Sequence, residues 1–77
     1  MIYRGRTVER SRSIVERIRD GQTNGQIGEA LGLARNSIRT YVTSLCAEYD
    51  VHNRAALVAA AIDAGFVSPY TPKKKRA

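Results

Sequence analysis

A chain of 77 residues has room for one domain with a thin core, and 43% hydrophobic with 26% charged residues is the composition of a folded protein rather than a disordered one. One cysteine, Cys46, and one histidine, His52, exclude an intrachain disulfide and a cysteine-rich zinc site, and they leave little for acid–base catalysis. The net charge of +6 is uneven: Lys73, Lys74, Lys75 and Arg76 form a run at one end, and without them nine basic residues face seven acidic ones.

Residues 1–6 carry no helical pattern and are expected as an N-terminal arm, residues 7–68 as the folded domain, and residues 69–77 as a flexible basic tail. Thr7 can cap a first helix over about residues 8–20, with Ile14, Val15 and Ile18 as its apolar stripe and Gly21 as its end. Thr23-Asn24-Gly25-Gln26 reads as a capping box opening a short second helix, whose buried face is Ile27, Ala30 and Leu31 and which stops at Gly32. Gly25 and Gly28 inside it each cost about 1 kcal/mol against alanine. For Gly28 the expected reason is close approach of another helix; Gly25 has no evident one.

A third helix runs from Arg35 to Tyr49. Ala34 cannot cap it with a side chain, a role that Asn36 and Ser37 are expected to fill in part. Ile38, Val42, Leu45 and Tyr49 recur as one buried stripe, while Arg35, Asn36, Arg39, Thr40 and Thr43 occupy the opposite side, which has no acid. A surface helix normally mixes charge signs, and an acid-free face of Arg, Asn and Thr is what a helix in a DNA groove presents. Tyr41, at the flank of that helix, is expected either to hydrogen-bond a phosphate or, preferably, to pack on the second helix, Cys46 to be a small buried hydrophobe, and His52 to be a loop residue.

Asn53 caps a fourth helix over residues 54–64, in which Leu57, Ala61 and Ala64 mark one face and Val58 and Ile62 an adjacent one. Gly65 closes it, Phe66 and Val67 fold back as an apolar clasp, and Pro69 and Pro72 mark the exit into the tail. The apolar arc of this helix is wider than a three-helix core uses, so Ala55, Leu57, Val58, Ala59 and Ile62 are expected to form a dimer interface. The longest unbroken apolar run, Ala55 to Ile62, has eight residues, short of the ~20 a membrane helix needs, and no secretory signal is evident. A soluble, cytoplasmic, all-α protein without membrane contact is the expectation. The basic tail and a second cluster, Arg4, Arg6, Arg10 and Arg12, would attract polyanions without reading sequence.

The run DGQTNGQIGEALGLARNSIRTYVTSL, Asp20 to Leu45, followed by Val51, Asn53, Arg54, Leu57, Val58, Ala61, Ile62 and Gly65, closely resembles the LuxR/GerE-type helix-turn-helix domain of bacterial transcription regulators. The resemblance spans about 60 residues without a gap. It implies four helices, the third in the major groove and the fourth joining two protomers on a roughly palindromic site. Carried over, the base-contacting positions are Arg39, Thr40 and Thr43, and those near phosphates are Thr23, Asn24, Arg35, Asn36 and Ser37. The chemistry agrees: Arg39 can make two parallel bonds to guanine, Thr40 and Thr43 can meet thymine methyls or backbone oxygens, and helix N-termini offer free amides to phosphate. Lys73, Lys74, Lys75 and Arg76 would add phosphate contacts.

The chain departs from the family in several places. Ser11 and Ser13 stand where glutamate is common, Ala34 where Ser or Thr caps the recognition helix, Tyr41 where histidine is common, and Gly25 and Gly28 where a polar residue and alanine are usual. These departures point to a less stable or divergent member, and they bear on half-site sequence and affinity rather than on the fold. The expected function is sequence-specific binding of double-stranded DNA in transcription regulation, as a homodimer formed on DNA or before it. No sensor domain, cofactor, metal or small-molecule ligand is expected, and no enzymatic activity. A phage or mobile-element DNA-binding accessory factor, and a protein-binding module that has lost DNA binding, are the alternatives.

Overall fold

The computed structural model describes residues 4–69, with side chains from residue 8 onward. The chain runs through α1 (Arg4–Arg19), α2 (Asn24–Leu31), α3 (Arg35–Tyr49) and α4 (Arg54–Asp63), and the described residues include no strand. The all-α, four-helix architecture expected from the sequence is the one found. One boundary moves. Because α1 begins at Arg4, residues 4–6 of the expected arm are helical, and Thr7 lies within the helix instead of capping it. A capping residue permits a helix start without imposing one, and Arg4 and Arg6 are good helix formers. Residues 1–3 and 70–77 lie outside the described residues, and with them the expected phosphate contacts at Lys73, Lys74, Lys75 and Arg76.

Helix ends follow the local chemistry. At α2 the capping box is complete: the Gln26 amide donates to Thr23 Oγ1 at 3.1 Å, and the Thr23 amide donates to Gln26 Oε1 at 2.8 Å. Asn53 Oδ1 accepts from the Ala56 amide at 2.8 Å and opens α4 in the same spirit. Ala34 gives α3 no side-chain cap, and among the described residues neither Asn36 nor Ser37 makes a capping side-chain bond in its place. All four helices stop alike. One residue turns left-handed and the next amide reaches back five residues to a carbonyl, as from Gln22 to Arg17 and from Phe66 to Ala61. At α3 that residue is Asp50 (φ 58°), a short polar side chain that tolerates the conformation better than most.

The core is built from Ile14, Val15 and Ile18 of α1, Ile27 of α2, Ile38, Val42 and Leu45 of α3, Leu57 and Ala61 of α4, and Val67 beyond it. Full burial of each large aliphatic side chain contributes about 1.5–3 kcal/mol, which is what holds so small a domain together. α2 packs on α3, and α4 packs on both α1 and α3. Ala30, expected inside, is exposed, and Gly28 is buried in its stead. Tyr49 and Leu31 are half-buried at the edge of the core.

Gly28 explains how tightly the turn between α2 and α3 is drawn. The Leu33 amide donates to the Gly28 carbonyl at 2.8 Å, and the Leu33 carbonyl oxygen sits where a side chain at residue 28 would begin. The close neighbour is therefore the backbone of the turn, not another helix as the sequence suggested. The result is a short α2, a three-residue turn (Gly32, Leu33, Ala34) and a long α3, which is the helix-turn-helix arrangement.

The expected clasp after α4 is present, with two arginines added. Val67 is buried and Phe66 half-buried, its ring centroid 6.5 Å from that of Tyr49. Arg12 Nε donates to the Phe66 carbonyl at 3.0 Å, and its guanidinium carbon lies 5.1 Å from the Phe66 ring centroid, within cation–π range. Arg19 donates to the Ser68 carbonyl at 2.8 Å while pairing with Asp20 at 2.9 Å. Arg12, grouped by sequence with the polyanion-attracting cluster, spends its guanidinium on the chain's own C-terminal segment.

Candidate nucleic-acid interface

Packing of Ile38, Val42 and Leu45 into the core rotates the rest of α3 outward. Arg35, Asn36, Arg39, Thr40 and Thr43 are all exposed, and Asn36, Arg39, Thr40, Thr43 and Ser44 line one shallow depression without a carboxylate. Arg39 makes no ion pair or side-chain hydrogen bond among the described residues, so its five donors face solvent. Thr40 differs. Its hydroxyl donates to the Asn36 carbonyl at 3.0 Å, which spends its proton and leaves the methyl group and an acceptor lone pair for a partner. Thr43 is exposed with no such bond.

A second group of expected residues converges at the start of α2. Thr23, Asn24, Gly25 and Arg35 line a cleft with Ile18, Gly21, Gln22 and Arg54. Arg35 reaches across from the first turn of α3: its guanidinium would meet a side chain at residue 25 at 3.4 Å. Gly25, unexplained by sequence, lies at ordinary contact distance from that arm, which does not by itself require a glycine. Thr23 Oγ1 is occupied as an acceptor by the Gln26 amide, and its hydroxyl proton is left over for an anion. No carboxylate lines this cleft.

Ser37 does not join either group. It is half-buried and borders a depression between α1 and α3 with Ser11, Thr40, Tyr41, Ser44, Leu45 and Glu48. Tyr41, expected to pack on the second helix, is half-buried against the core and borders this depression beside Ser11 of α1. Cys46 is half-buried, not fully buried, with Sγ 3.9 Å from the Asn53 carbonyl, and His52 is an exposed loop residue.

Arg54 is the residue that sequence reasoning passed over as a contributor to the interface. Half-buried at the first position of α4, it donates to Asn24 Oδ1 at 2.6 Å and to the Gln22 carbonyl at 3.1 Å. An arginine at the start of a helix that is apolar from there to Asp63, where the helix dipole disfavours a cation, was the available signal.

On α4 the expected dimer residues separate. Leu57 is fully buried and belongs to the chain's own core, because Leu57 and Ala61, one turn apart, face α1 and α3; it cannot also serve a second protomer. Ala55 and Ala59 are exposed, and Val58 and Ile62 are half-buried at the rim of the core. Among the described residues no three His, Cys, Asp or Glu side chains gather as metal ligands, and no helix is long and apolar enough to cross a membrane.

Four short helices with a tight turn between the second and third, and an acid-free outer face on the third, define a helix-turn-helix nucleic-acid-binding domain. The chain belongs to the luxR family of bacterial regulatory proteins, whose GerE model matches residues 8–61, from within α1 to within α4. Comparison with curated proteins finds no match. Domains of this family are DNA-binding regulators of transcription rather than enzymes, and in those general terms the chain binds DNA and regulates transcription.

Proposed function

We propose that this protein reads a specific double-stranded DNA sequence, with α3 in the major groove and two protomers paired through α4. The observation that carries the reading is the outward face of α3: Arg39, Thr40 and Thr43 are exposed together, with Asn36 beside them and no carboxylate. Arg39 is the base reader, two parallel N–H bonds to guanine O6 and N7 contributing about 1–3 kcal/mol of discrimination. Thr40, with its hydroxyl proton spent on Asn36, offers its methyl to a thymine methyl or its lone pair to a cytosine amino group. Thr43 supplies a second contact of the same kind.

Thr23, Asn24, Arg35 and Asn36 hold the phosphate backbone at the edges of the groove, where they set register without reading sequence. Ser37, turned toward α1, is the weakest member of that set. The dimer surface is Ala55, Val58, Ala59 and Ile62, since one module makes few base contacts and a pair doubles the readout.

Selection of bound duplexes from a random pool at moderate salt tests the reading. Enrichment of a two-fold symmetric site is the expected result, and Arg39→Ala should lose about tenfold or more on it while retaining most of its affinity for scrambled duplex. A pool that enriches nothing, or an Arg39→Ala protein as selective as the parent, overturns it.

A further inference from the structure

The Arg54 guanidinium ties the start of α4 to the start of α2 through bonds to the Asn24 amide oxygen (2.6 Å) and the Gln22 carbonyl (3.1 Å). A guanidinium has only donors, so the amide oxygen of Asn24 must be the atom that faces it, and the amide nitrogen is turned the other way. Thr23, its neighbour, uses its amide and its hydroxyl oxygen in the capping box with Gln26, and Asn24 makes no other side-chain bond among the described residues. Neither Arg54 nor Arg35 makes an ion pair among the described residues, so both guanidinium charges reach the cleft that also contains Thr23 and Gly25. A half-buried arginine bound to neutral oxygens keeps its full positive charge in its surroundings, which a carboxylate partner would have cancelled.

We propose that Arg54 is a positioning residue for DNA binding: it holds the Asn24 side chain with its amide N–H groups toward the cleft, where they donate to a phosphate oxygen of the duplex. The inference rests on the DNA-binding reading above and adds the residue that aims one of its anchors. Arg54 itself stays on Asn24 and Gln22 and makes no phosphate contact. Its effect on affinity passes through Asn24.

Two variants separate positioning from simple structural support. Asn24→Asp keeps an acceptor for Arg54, makes that bond charge-assisted, and places an acid at the first turn of α2, where the helix dipole favours it. Its melting temperature should equal or exceed the parent's, while its affinity for matched and scrambled duplexes at one salt concentration should fall alike by about tenfold or more, because a donor has become an anion. Arg54→Met keeps an unbranched stem and frees the amide. Asn24→Ala should then cost about tenfold in the parent but under about threefold in the Arg54→Met background.

Equal losses from Asn24→Ala in both backgrounds, or an Asn24→Asp protein that binds like the parent, overturn the proposal. If Arg54→Met does not fold, Arg54→Leu, which also lacks a donor for the Asn24 oxygen, takes its place in the comparison. A parent that binds no duplex removes the DNA-binding reading and this inference with it; a parent that binds, with Asn24→Asp its equal, removes only this inference.

Discussion

Gly25 and Gly28 lie three residues apart in α2 and answer to different neighbours. A methyl group at residue 25 would meet the far end of the Arg35 side chain at 3.4 Å, and a flexible guanidinium can move aside. At residue 28 it would run into the Leu33 carbonyl, which is backbone and is held by the Leu33 amide bonding back to Gly28 at 2.8 Å. Alanine favours a helix by up to about 1 kcal/mol over glycine at either position. Gly25→Ala should keep that gain and raise the melting temperature by up to about 4–8 °C. Gly28→Ala should lower it, because the turn joining α2 to α3 has to open. Thermal denaturation of the two variants decides, and equal rises would mean that the turn gives freely. The sequence marks both glycines as out of place in a helix, yet it does not say that only Gly28 has a neighbour that requires it. That depends on where the chain goes after Gly32, a tertiary fact.

At the scale of the element, α3 and α4 show why one helix could be oriented from sequence and the other only in part. Polar residues fill the side of α3 opposite Ile38, Val42 and Leu45, so its inside and outside are chemically distinct, and its exposed face is the one expected. α4 carries charge only at Arg54 and Asp63, its two ends, and apolar side chains everywhere between. Periodicity then has no polar side to work against, and Leu57, expected at the dimer surface, is fully buried. The tie from Arg54 to Asn24 was illegible for a related reason: a contact 30 residues apart leaves no local pattern.

The buried and exposed sides of α4 make opposite predictions. Leu57→Ala should cost about 2–5 kcal/mol of folding stability, enough to threaten a domain of this size. Ala59→Glu sits on the exposed side, and glutamate is a good helix former, so the melting temperature should stay within a few degrees of the parent's. If two protomers pair there, sedimentation on a duplex carrying the selected site should show two protomers for the parent and one for Ala59→Glu. An Ala59→Glu protein that still loads as a pair removes α4 as the interface.

Across the whole molecule, the two arginines of α1 that grip the clasp decide where the C-terminal segment departs. Arg12 holds the Phe66 carbonyl, and Arg19, the last residue of α1, holds that of Ser68. The chain therefore leaves its described part at Pro69 close to the α1–α2 turn, whose Gly21 and Gln22 line the cleft with Thr23, Asn24 and Arg35. Lys73, Lys74, Lys75 and Arg76 lie outside the described residues, and we propose that they contact phosphates of the same duplex. Phosphate contacts carry no base information, so removing residues 73–76 should weaken matched and scrambled duplexes by the same factor. It should also flatten the dependence of log affinity on log salt by about 0.9 for each phosphate no longer neutralised. Titrations of both duplexes across a salt series measure the two quantities together. A weakening confined to the matched site would mean that the basic run reads bases, and an unchanged slope would mean that it touches no phosphate at all.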